Sequence, residues 1–119
     1  MKKIVGMAVV ILMLLVGSMA QAMDYESSIS SGTLASSSVV YAKPCKLTDL
    51  AVYTDGTNQV TAILYDNATA ASGTVIGKVI VPGAALNGGL VIPIPVRAQN
   101  GIYISLSGTG GTAVVFYNY

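Results

Sequence analysis

The groups able to do chemistry in this chain are few: five carboxylates, one thiol, seven tyrosines, and no histidine at all. Without histidine, the Ser-His-Asp and Cys-His nucleophile systems, imidazole acid–base catalysis and the usual zinc ligand sets are excluded. A glycosidase pair needs two carboxyls within about 5–10 Å of each other. Asp55 and Asp66 stand in the two turns that flank one extended run. At about 3.3 Å per residue they lie roughly 30 Å apart, so they are not such a pair. Asp49 is isolated, and Asp24 and Glu26 fall in a serine-rich stretch. The expectation is a protein that is not an enzyme and carries no cofactor.

Binding chemistry is thin as well. Asp55, Asn58 and Asp66 offer the oxygen ligands that calcium takes in loops, but no D-x-D-x-D-G spacing accompanies them. The same residue types form turns by bonding their own backbone. Asn67-Ala68-Thr69 matches the glycosylation sequon. Cys45 is the single cysteine, so no disulfide can close within the chain. It is either a small buried hydrophobe at the start of a strand or a bridge to a second chain. Four tyrosines remain as interaction candidates: Tyr65, Tyr103, Tyr117 and Tyr119. Tyrosines facing outward from a sheet can form a subunit interface or a platform for sugar stacking. They also serve simply as cross-strand pairs.

The elements that position these groups are read from alternation. Runs rich in β-branched and aromatic residues recur between Gly, Asn and Asp turns, over residues 45–53, 59–66, 75–81, 90–96, 102–107 and 113–119. Leu47, Leu50 and Val52 point to the core in the first run, and Val60, Ala62 and Leu64 in the second. Ile102, Ile104 and Leu106 do so in the fifth, which sends Tyr65 and Tyr103 outward. Pro93 and Pro95 stand two apart, so both missing N–H groups lie on one side of their strand, which should be an edge or peel away there. Residues 39–41 add a short strand, and no part of residues 23–119 reads as helix. Six to eight strands in this length predict an all-β fold, an antiparallel β-sandwich of jelly-roll or Greek-key type. A membrane barrel fits poorly, since its strands need about 9–11 residues each.

The N-terminus carries a different message. Two lysines, an apolar run over residues 4–16 and the small residues Ala20 and Ala22 make a secretory signal with its cleavage site after residue 22. The apolar run is short for an anchor, and Met23 stands where a lipoprotein needs cysteine. The chain therefore divides into a signal peptide (1–22), a Ser-rich arm with a first strand (23–44) and a sandwich domain (45–119). Export to the periplasm, the exterior or a cell or particle surface is expected, with contact to membrane only through the transient signal. Past residue 22, Asp24, Glu26, Asp49, Asp55 and Asp66 nearly balance Lys43, Lys46, Lys78 and Arg97. Such a surface gives no footprint for nucleic acid.

The segments Val52-Tyr-Thr-Asp-Gly-Thr-Asn58, Leu64-Tyr-Asp-Asn67, Ala71-Ser-Gly-Thr74, Val81-Pro-Gly83, Pro95-Val-Arg-Ala-Gln-Asn-Gly-Ile-Tyr103 and Leu106-Ser-Gly-Thr109 resemble a family of small proteins of tailed phages. The resemblance spans residues 45–117 and implies a virion-associated β-sandwich without catalysis. Its motifs are turn and strand residues, so no functional residue carries over. The signal peptide departs from the family, whose particles assemble in the cytoplasm. Together these readings predict an exported structural or interaction protein that forms a homo-oligomer or decorates a larger assembly as a virion-like, fibre or surface-layer component. The alternative is a secreted carbohydrate-binding or adhesion module with a glycan as partner.

Overall fold

The structure is a computed structural model that describes residues 28–83 and 89–119. The signal segment, the start of the Ser-rich arm and most of the Asn87-Gly88-Gly89 turn lie outside the described residues. Those described form eight strands and no helix: β1 (Ile29–Ser30), β2 (Ser38–Tyr41), β3 (Cys45–Tyr53), β4 (Val60–Asp66), β5 (Val75–Val81), β6 (Gly89–Ala98), β7 (Ile102–Ser107) and β8 (Thr112–Asn118). They build two antiparallel four-stranded sheets, ordered β1-β8-β3-β6 and β2-β7-β4-β5. The pairing is nested. β1 lies beside β8, β2 beside β7, β3 beside β6 and β4 beside β5, as if one long hairpin had been rolled over on itself.

One core holds the two sheets together. Leu47, Leu50, Val52, Val115 and Ala113 from the first sheet meet Val60, Ala62, Leu64, Ile102 and Ile104 from the second, all with no exposed surface. Each large aliphatic side chain removed from water in this way contributes about 1.5–3 kcal/mol. The alternation that hides these residues turns their neighbours Tyr65 and Tyr103 to the opposite face. Gly77 sits beside Leu64, leaving room for Ile94 of the other sheet to reach across.

The edges are all blunted. β6, with Pro93 and Pro95, is an edge of its sheet as the missing donors require. β5, the neighbouring edge, carries Lys78, a charge that discourages further pairing. On the other side β1 has two residues and β2 four, with a bulge after Val39. Both of these short strands come from the Ser-rich stretch, so part of that arm is built into the sandwich. Its serines also finish the edges. Ser31 Oγ accepts from Val115 N at 2.9 Å, and Ser37 Oγ accepts from Leu106 N at 2.9 Å. The main chain adds a bridge between Leu34 and Ala113. A hydroxyl thus stands where a neighbouring strand would offer a carbonyl.

Candidate interaction surface

The four candidate tyrosines separate into two places. Tyr65 and Tyr103 face each other directly across the β4–β7 pairing. Val39 stands opposite Tyr103 on β2, and Val75 opposite Tyr65 on β5. One row, Val39–Tyr103–Tyr65–Val75, therefore runs across the outside of all four strands of the β2-β7-β4-β5 sheet. The two valines at its ends are exposed. Behind it come Ser105–Ile63–Lys78 and then Ser107–Thr61–Ile80, in which Ile80 is exposed. Lys78 is the sole charge in these three rows.

The other outer face differs. Its rows pair Asn118, Lys46 and Arg97; Phe116, Asp49 and Pro93; Val114, Ala51 and Val91; and Thr112, Tyr53 and Gly89. Val91 and Tyr53 are exposed there, but three charged side chains share the surface. A partner covering it would strip water from charged groups.

Tyr117 and Tyr119 take another role. Tyr117 is turned inward and is 9 % exposed, so it does not present a docking surface as its sequence position suggested. The reason is strand parity, since Ala113, Val115 and Tyr117 share the core side of β8. Its ring packs on Tyr41 with centroids 5.1 Å apart, and Tyr119 stacks on the same Tyr41 at 5.3 Å, nearly parallel. Burial, then the neighbouring Tyr41, Cys45 and Tyr119, push the Tyr117 hydroxyl above its ordinary pKa. Tyr119 itself is 81 % exposed. This stack closes one end of the sandwich.

Cys45 is buried in the core at that same end. Burial first, and then the charge of Asp66, raise its pKa and disfavour the thiolate. A bridge to a second chain would require the start of β3 to leave the core.

The calcium candidates are engaged by their own loops. Asp55 Oδ1 accepts from Asn58 N at 2.7 Å and Thr57 N at 2.8 Å, and Oδ2 accepts from Asn58 Nδ2 at 2.7 Å. These donors hold its carboxyl below the usual range. Asp66 Oδ1 accepts from Asn100 N at 2.7 Å and Oδ2 from Gln99 N at 3.0 Å, tying the end of β4 to the β6–β7 turn. Desolvation pushes its carboxyl up, but the donors of residues 99–101 outweigh that and hold the pKa low. Asn67 likewise organises its loop, donating to Ser72 O and Ser72 Oγ while its Oδ1 accepts from Thr69 and Ala70. No group of three or more His, Cys, Asp or Glu gathers among the described residues.

With this geometry in hand, comparison with known protein families, characterised proteins and solved structures finds no match to the chain.

Proposed function

We propose that the chain is an exported, non-enzymatic structural or interaction protein that self-associates or docks on a larger assembly. The observation that carries the reading is the outer face of the β2-β7-β4-β5 sheet. Its three rows hold two tyrosines, four aliphatic residues and a single charge. Burying such a surface gains the hydrophobic term without the cost of stripping water from many charges. Tyrosine adds rigid area at small entropic cost. The blunted edges direct contact to this face, because strand addition is disfavoured at every edge.

Nested pairing of eight strands is jelly-roll wiring, an architecture used by capsid and lectin domains. It agrees with the resemblance to virion-associated sandwiches of tailed phages, recruited here to an exported product that decorates a particle, a fibre or a cell surface. The surface rather than the fold carries the assignment. The test is sedimentation velocity of the secreted product over a concentration series. A mass that rises with concentration is expected. A strict monomer that binds sugars on a glycan array would instead make the Tyr65–Tyr103 pair a stacking platform and the protein a carbohydrate-binding module.

A further inference from the structure

The partner for this face can be named from its symmetry. Val39–Tyr103–Tyr65–Val75 reads the same from either edge: valine, tyrosine, tyrosine, valine. A bulge adjoins each end of the row, on opposite sides of it. In β2 the register skips Val40, and in β5 it skips Ile76; each of these extra residues packs toward the core.

A row that reads the same from both edges suits an isologous contact, in which residue i meets j and j meets i. We propose that the outer face of β2-β7-β4-β5 packs against the same face of a second copy of this chain, about a two-fold axis parallel to the strands and between β7 and β4. The inference rests on the self-association reading above. In this arrangement Tyr65 of each copy meets Tyr103 of the other, and Val39 meets Val75. The direction of the axis follows from Lys78. An axis across the strands would set the two Lys78 side chains over the same edge, face to face. The axis along the strands carries them to opposite edges, three strand spacings or about 14 Å apart, beyond a Debye length of about 8–10 Å.

The area suits a weak, reversible contact. β2, β7, β4 and β5 have four, six, seven and seven residues, and at about 3.3 Å per residue and about 4.8 Å between strands they give a face of roughly 380 Å². With side-chain relief, two such faces remove about 800–1,000 Å² from water, in the range of weak, reversible contacts. The dimer should therefore dissociate on dilution.

A charge exchange tests this directly. Val39 and Val75 are exposed edge positions, so V39K and V75E should keep the native far-ultraviolet dichroism. Sedimentation equilibrium of the full secreted product should show a reversible dimer for the wild type. V39K alone and V75E alone should each weaken it at least tenfold, and V39K/V75E should recover most of the loss, because each new lysine then meets a glutamate of the other copy. Single-variant losses without recovery would overturn the axis. Association unchanged in both single variants would overturn this face while leaving the self-association reading standing. A wild type that stays monomeric at the highest concentrations would overturn both.

Discussion

Two adjacent residues should give opposite results on substitution. Leu64 has no exposed surface and packs beneath Gly77, where a methyl group placed on the glycine would lie 3.5 Å from Leu64 Cδ1 and 3.0 Å from Ile94 Cδ1. Leu64→Ala leaves a hole that its neighbours close poorly, since Gly77 has no side chain to move into it. Leu→Ala changes in cores cost about 2–5 kcal/mol, and this geometry places the loss at about 3–4 kcal/mol. A domain of this size has roughly 5–13 kcal/mol in total, so the thermal midpoint should fall by roughly 15–25 °C. Tyr65→Thr removes only a cross-strand aromatic contact on the outer face, worth about 0.5–1 kcal/mol, yet it should abolish self-association. Urea unfolding in the monomeric concentration range measures the first quantity and sedimentation the second. In L64A/G77A the added methyl must displace Ile94 Cδ1, 3.0 Å away, toward the space Leu64 vacates, so the double-variant loss should differ from the sum of the single losses by at least about 0.5 kcal/mol. Equal losses for L64A and Y65T in the monomer would refute the assignment of inner and outer faces.

Other consequences follow from single contacts. Asp66→Ala should speed amide exchange at Gln99 and Asn100, whose N–H groups it holds. Its folded pKa lies below its unfolded value, so the stability it supplies is present above about pH 4 and lost as pH falls through the folded pKa; the pH dependence of the urea midpoint should flatten there in D66N. P93T/P95T restores two N–H donors to the β6 edge, and agitated samples should form thioflavin-positive aggregates sooner than the wild type. Cys45 should resist a thiol reagent in the native state and react stoichiometrically in denaturant, since burial and Asp66 raise its pKa.

How far the residues foretold this arrangement depends on range. Alternation alone placed Leu47, Leu50, Val52, Val60, Ala62, Leu64, Ile102 and Ile104 inside, because a strand buried on one face shows its period locally. Pro93 and Pro95 marked an edge through the donors they lack. Tyr117 misled because β8 is apolar on both sides: Val114 and Phe116 face outward while Val115 and Tyr117 face inward, so parity could not be read from type. Opposition of Tyr65 and Tyr103 was hidden for a different reason. It requires β4 to lie beside β7, and strand order is a property of the whole fold. The Asp66 tie to residues 99 and 100 spans more than thirty positions, and a turn-forming aspartate looks the same with or without it. The hydroxyls of Ser31 and Ser37 read only as members of the Ser-rich arm because their partners, Val115 and Leu106, lie far along the chain.

Covering of the tyrosine row is best measured where it happens. Hydroxyl-radical footprinting of the secreted protein, read by mass spectrometry in dilute and concentrated solution, reports the accessibility of each tyrosine. Tyr65 and Tyr103 should become protected as concentration rises, while Tyr53 on the opposite sheet and Tyr119 at the end of the sandwich stay equally reactive. Protection that falls on Tyr53 instead, or on no tyrosine while the mass increases, would contradict the account.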